Sequence, residues 1–283
     1  METDRIDIVQ LDVTGSLRDS VSALVAVEMH DRASLPLAIA PHESMMFTVQ
    51  MGRGADTLDQ KAEHGHNTRL TGIRQWTGSF VGAGQCVSLF ALLTPLGAVR
   101  LLESRTLAAA PRIRADVAHL LDRQITRRLE DAIAREVRLE NKLRALGAWL
   151  EERHGARREL PRAALRAGRA ALRLTAQPQR PIDDLADAEH VSRRQLERDF
   201  ERWLGTSPNH LALVTRVQHV ARHVHAGASL AQAAHATGFA DQSHMTRTVR
   251  KLTGATPKAF VGSHRTPIAS GFRLATGGAT VYF

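Results

Sequence analysis

The chain has 283 residues, enough for two domains each with its own core, and a formal net charge of +9 with a sequence pI of about 10.9. The excess is carried mostly by arginine and favours a polyanionic partner through guanidinium contacts to phosphate. Its single cysteine, Cys86, excludes an intrachain disulfide and any multi-thiolate zinc site, while the acidic start Met1-Glu-Thr-Asp4 and the lack of a long apolar run point to a cytoplasmic protein with no membrane contact.

Residues 1 to 105 read as a β-rich regulatory domain. Asp7–Val13 and Leu24–Met29 carry strand-like patterns, Met45–Met51 and Cys86–Leu93 are apolar runs of strand length, and glycines punctuate them. A small β-sandwich or barrel is the expected product. His64-Gly-His66, beside Glu63 and after His42, has the alternation with which one strand can offer two ligands to one metal ion. Its polar surroundings favour a solvated loop, so no metal and no cofactor are assigned. Cys86 sits in an apolar run and is expected in the core. No phosphate-binding glycine loop or nucleophile motif is present, so no catalytic residue is assigned and an enzyme is not expected.

Residues 106 to 177 form a helical connecting or dimerisation segment. Val117, Leu120, Leu121, Ile125, Leu129, Ile133, Leu143, Leu146, Trp149 and Leu150 recur at helical spacing from Ile113 to His154. Two helices are expected there, broken between Arg135 and Asn141, packed within the chain or on a second copy. Pro161 opens a further helix to about Ala176, on which Arg158, Arg162, Arg166, Arg169 and Arg173 make one basic stripe, either a solvated face or a phosphate track. Gln177-Pro-Gln-Arg-Pro181 reads as a linker.

Residues 178 to 262 say nearly the same thing twice, with landmarks about 49 residues apart. Ser192 and Asp241 are helix caps, and Leu196, Phe200 and Trp203 in one copy match Met245, Val249 and Leu252 in the other as an apolar stripe. Gly205 and Gly254 end these helices, and Ser207-Pro208 and Thr256-Pro257 begin the next. A shorter helix precedes each, with His190 and Gly238 at the left-handed position of the turn. The product is two helix-turn-helix units in an all-α domain joined by a helix from Pro208 to about Ala226.

The motifs Val191-Ser-Arg-Arg-Gln-Leu-Glu-Arg-Asp-Phe200, Gly238-Phe-Ala-Asp-Gln-Ser-His-Met-Thr-Arg247 and Thr253-Gly-Ala-Thr-Pro257 resemble the DNA-binding domain of the AraC/XylS family of bacterial transcription factors. The resemblance covers residues 178 to 262 and implies a cytoplasmic transcription regulator of multidomain α+β architecture. In that family the N-terminal domain is often a cupin-like barrel that binds an effector or mediates dimerisation. Here it departs from the sugar-binding type, so the effector stays unassigned. RNA polymerase and a small-molecule effector are compatible partners beside double-stranded DNA, with the chain a monomer or a homodimer. The competing readings are a metal-binding cupin-like enzyme with a helix-turn-helix adaptor and a protein-interaction repeat.

Burial of the apolar stripes leaves Arg194, Glu197 and Arg198 outward on the first capped helix, with Arg193 and Gln195 near its start. The second presents Gln242, Ser243, His244, Thr246 and Arg247. Arginine suits guanine, glutamine suits adenine, and serine or threonine several partners, so these ten are the expected DNA-binding residues. Glu197 either accepts from cytosine or holds Arg194 and Arg198 in an ion-pair scaffold, the second being favoured. Arg250, Lys251 and Lys258 are the expected phosphate contacts. Residues 263 to 283 form a C-terminal tail, strand-like at its end, packed back on the chain or disordered.

Overall fold

The computed structural model describes residues 6–13, 15–30, 35–52, 56–57, 67–73, 78–82, 86–101, 115–116, 123–156 and 160–262. The stretch around His64 and His66, read as a solvated loop, and the tail after Gly262 lie outside these residues.

The apolar runs near the N-terminus form strands because β-branched and long apolar residues pack well on a pleated surface. They are β1 (Ile6–Leu11), β2 (Val21–Met29), β3 (Leu35–Ile39), β4 (Met45–Gly52), β5 (Asp56–Thr57), β6 (Asn67–Thr71), β7 (Gly78–Gly82), β8 (Cys86–Leu93) and β9 (Ala115–Asp116). Six of them make an antiparallel sheet in the order β1-β2-β8-β4-β6-β9, and β3-β7-β5 make a second. In the large sheet Leu24 lies opposite Ala91 and Phe47 opposite Ala91 from the other side, so β8 is the central spine. Cys86 is buried on β8, and desolvation pushes its thiol pKa up, as suits a core residue. The β9 pairing with β6 corrects the expectation of helix from Ile113, because Ala115 and Asp116 are strand partners of Leu70 and Arg69.

A short helix α1 (Pro95–Leu101) follows β8, capped by Thr94, whose Oγ1 accepts from the Gly97 amide at 2.9 Å. Helices α2 (Arg123–Arg135) and α3 (Leu139–Gly155) are separated where expected. Lys142 marks the break, its ammonium donating to the carbonyls of Ile133 and Glu136 and satisfying the end of α2. Leu143, Leu146 and Leu150 of α3 are buried in the core shared with β1, β2 and β8, and Trp149 stacks on Phe47 with ring centroids 5.3 Å apart. Among the described residues, Leu129 and Ile133 of α2 and the leucines of α3 are thus buried within the chain.

Helix α4 (Arg162–Ala176) is rich in small residues for a packing reason. Ala164, Ala167, Gly168, Ala170 and Ala171 are all buried, and a Cβ on Gly168 would lie 3.0 Å from the Leu96 Cα, so α1 and α4 meet backbone to backbone. The remaining helices are α5 (Ile182–Ala188), α6 (Arg193–Leu204), α7 (Pro208–His225), α8 (Leu230–Ala236), α9 (Gln242–Thr253) and α10 (Pro257–Gly262). One side of α4 packs on α1, and it also packs on α6 and α7. One buried apolar cluster therefore runs from Leu17 and Phe47 through Leu146 and Leu174 to Leu196, Val214, Met245 and Phe260. The architecture is α+β, with antiparallel sheets first and helices after. No helix among the described residues is long and apolar enough to cross a membrane.

Candidate DNA-binding surface

Each repeated segment folds as its capping residues require. The Ser192 Oγ accepts from the Gln195 amide at 3.2 Å and starts α6, and the Asp241 Oδ1 accepts from the His244 amide at 2.6 Å and starts α9. Both helices stop at a left-handed glycine, Gly205 at φ 63° and Gly254 at φ 77°. The turns into them also use left-handed residues, His190 at φ 55° and Gly238 at φ 73°. Ser229 and Gln232 form a reciprocal capping box on α8, and the Ser207 side chain accepts from the His210 amide to start α7. The expected stripes are buried without exception: Leu196, Phe200 and Trp203 on α6, and Met245, Val249 and Leu252 on α9.

Burial of those stripes fixes what faces outward. Arg193, Arg194 and Arg198 on α6 are exposed, as are Gln242, Ser243, His244 and Arg247 on α9, with Thr246 half-buried and its hydroxyl donating to the Gln242 carbonyl. Arg250, Lys251 and Lys258 are exposed at the end of α9 and the start of α10. Three side chains of the first set have partners within the chain. Arg193 pairs with Asp183 at 3.2 Å and with Glu197 at 3.0 Å, and these acidic groups raise its pKa. The Glu197 scaffold thus exists, but it holds Arg193, the residue one turn before it, rather than Arg194 and Arg198. Gln195 is half-buried and donates to the Asp199 Oδ1 at 2.9 Å.

The second turn has a support that the spacing did not reveal. Arg216 of α7 lies 4.0 Å from the Phe239 ring centroid and donates to the carbonyls of Thr237 and Gly238. Desolvation lowers its pKa. Gln179, in the turn before α5, donates to the Ala236 carbonyl at 3.1 Å and so ties the start of the first unit to the second. The segment read as a linker forms a turn in which Pro178 is buried and Gln177, Gln179 and Pro181 are exposed.

Three arginines of the basic stripe of α4 are paired with carboxylates of the first unit, although Arg169 and Arg173 keep one side open to solvent. Arg166 Nε donates to the Asp199 Oδ2 at 2.7 Å, and Arg169 and Arg173 grip the two oxygens of Glu189 at 2.5 and 2.6 Å. Glu189 ends α5 and Asp199 lies on the inner side of α6, so three arginines fasten α4 to the first unit. Arg162 remains exposed, and Arg158 lies outside the described residues. The sequence shows the arginines and the carboxylates but not their pairing, since neither periodicity reveals which faces meet.

Asp7, Glu28 and His30 form the one group of metal-ligand types whose ligand atoms come within 4.8 Å of one another among the described residues. Asp7 and Glu28 are cross-strand partners, and His30 Nε2 sits 2.7 Å from an Asp7 oxygen. An imidazolium there would offset the repulsion of the facing carboxylates. The group is partly exposed and carries no assignment.

Two capped helix pairs, each with polar and basic residues on its outward face, make two helix-turn-helix units. Residues 185–263 match the family model described as a helix-turn-helix domain, of the AraC type. That AraC-type match is to the C-terminal helix-turn-helix domain of the 283-residue chain. Comparison with curated proteins returned no match. Among solved structures it is similar to unsaturated fatty acid-bound ToxT from Vibrio cholerae, at 11% identity over 92% of this chain and 97% of that one with a TM-score of 0.43. It is also similar to ToxT from Vibrio cholerae O395, at 10% identity over 81% and 96% with a TM-score of 0.40. The AraC-like transcriptional activator CuxR matches at 14% identity over 69% and 80%, with a TM-score of 0.23.

Proposed function

We propose that one chain reads a bipartite, non-palindromic DNA site, with α6 and α9 as recognition helices in successive major-groove segments about 34 Å apart. The observation that carries this reading is the pairing of two similarly capped units on one continuous spacer, the 18-residue helix α7. A spacer of that length rises about 27 Å, which suits two helices meeting one face of the duplex. In the first unit Arg194 and Arg198 read base edges, while Gln195 braces Asp199 and the Arg193–Glu197 pair shapes the helix face. In the second, Gln242, Ser243, His244 and Arg247 are the readers, with Thr246 at the edge of the face. Arg250, Lys251 and Lys258 fix the register through phosphates.

Residues 1–105 form the regulatory domain in this reading, 106–177 the connecting segment and 178–262 the DNA-binding domain. A small-molecule effector on the N-terminal domain acts by favouring one arrangement of the DNA-binding domain, and RNA polymerase is the partner at the promoter. Since both units lie in one chain, a monomer suffices to occupy the site.

The test is selection of binding sites from a random duplex library, followed by titration at two salt concentrations with the native chain and Arg247→Ala. The reading requires a two-part site and a loss of about 1–3 kcal/mol in Arg247→Ala, with specificity relaxed in one half only. Affinity that falls with salt but ignores sequence, or no binding at low salt, overturns it.

A further inference from the structure

Two kinds of contact join the sheet-bearing half of the chain to the DNA-binding half. Around α4 the contact is apolar and close, between the small residues of α4 and Leu96 of α1. The second is polar and lies farther along, between the loop entering β4 and the C-terminal half of α7. Gln218 of α7, fully buried, donates Nε2 to the Pro41 carbonyl at 2.6 Å. One turn on, Arg222 forms an ion pair with Glu43. The loop itself is braced, the Ser44 amide donating to the His42 Nδ1 at 3.0 Å.

This polar contact is only half satisfied. Glu43 Oε2, Gln218 Oε1 and Arg222 Nε are buried and have no hydrogen-bond partner among the described residues. Burial pushes the Glu43 carboxyl above the usual range, with Arg222 pulling the other way. A buried ion pair that leaves such groups unmatched adds little net stability, because desolvation opposes its Coulombic gain. Opening the contact returns the orphaned groups to water, so the two surfaces can separate at low cost. The apolar α1–α4 contact has no such compensation and stays closed.

We propose that Pro41 and Glu43, with Gln218 and Arg222, form a releasable latch by which the N-terminal domain restrains the spacer helix and, through it, the second helix-turn-helix unit. The first unit is fastened separately, through Arg166, Arg169 and Arg173 of α4. The N-terminal domain therefore acts on the two units unequally. The consequence for DNA rests on the bipartite reading proposed above, but the latch itself does not.

The experiment is hydrogen exchange on the full DNA-free chain, native against Glu43→Ala, with exchange followed by peptide. Exchange over residues 218–253 should rise by about threefold to fivefold in the variant, as loss of a weakly favourable closure allows, while residues 162–204 stay unchanged. No change over 218–253, or an equal rise in both regions, overturns the latch. Should Glu43→Ala lower the melting temperature of the whole chain, Glu43→Gln, which keeps the shape and removes the charge, decides by the same criterion. On DNA, the variant should tolerate a base-pair insertion between half-sites that the native chain rejects. If neither protein binds DNA specifically, the bipartite reading fails while the exchange result still judges the latch.

Discussion

Replacing Glu189 by alanine tests how the first unit is held. Its side chain is 3% exposed, with Arg169 donating to Oε2 at 2.5 Å and, more weakly, to Oε1 at 3.4 Å, and Arg173 donating to Oε1 at 2.6 Å. A hydrogen bond to a charged group contributes about 1.5–3 kcal/mol, so the pair sets an upper bound near 6 kcal/mol. The arginines are however 48% and 42% exposed, and both recover water when the carboxylate is removed. Solvent screening therefore reduces the expected loss to about 2 kcal/mol. Urea unfolding of Glu189→Ala, Arg173→Ala and the double variant measures it, with a coupling energy of about 1 kcal/mol between the two positions. The single substitution should also loosen exchange at the turn after α5, since Glu189 sits where that helix ends. A loss below about 0.5 kcal/mol with no coupling would refute the clamp and make the contact an ordinary surface ion pair.

Other outcomes follow from the same physical picture. Gly97→Ala would place a Cβ 1.8 Å from the Ser20 carbonyl oxygen, so α1 must move; a loss of about 3 kcal/mol or more is expected, and a thermal melt close to native would contradict the packing. Asp241→Ala removes the cap of α9 and should cost about 1 kcal/mol, with local exchange rising first at the start of that helix; an unchanged melt would count against the cap. Burial, with Arg222 and His223 nearby, lowers the His219 pKa from 6.5 to about 4. The unfolded chain then binds a proton that the folded chain refuses, so the stability from this group is complete above about pH 6.5 and is lost as the pH falls towards 4. His219→Gln should flatten that part of the melting temperature against pH, and an unaltered slope would show that His219 titrates normally.

The sequence by itself determined the local chemistry of the DNA-binding half. Ser192, Ser207 and Asp241 cap helices, Gly205 and Gly254 end them, and the apolar stripes of α6 and α9 are buried, because capping and amphipathic spacing act over one or two turns. The same short-range logic located the strands at Met45 and Cys86 and the break between α2 and α3. It could not decide the fate of polar residues, since a stripe of arginines has the same spacing whether it meets water, phosphate or carboxylate. Only the tertiary structure brought Glu189 and Asp199 to α4, turned Gln195 inward and set Arg193 against Asp183 and Glu197. It also paired Ala115 and Asp116 with β6, where long-range strand pairing replaced the helix that periodicity suggested. Glu43 and Arg222 stand 179 positions apart, and no pattern along the chain joins them. Contacts of that kind depend on which surfaces the whole fold presses together, and that is where the control of the second unit is proposed to lie.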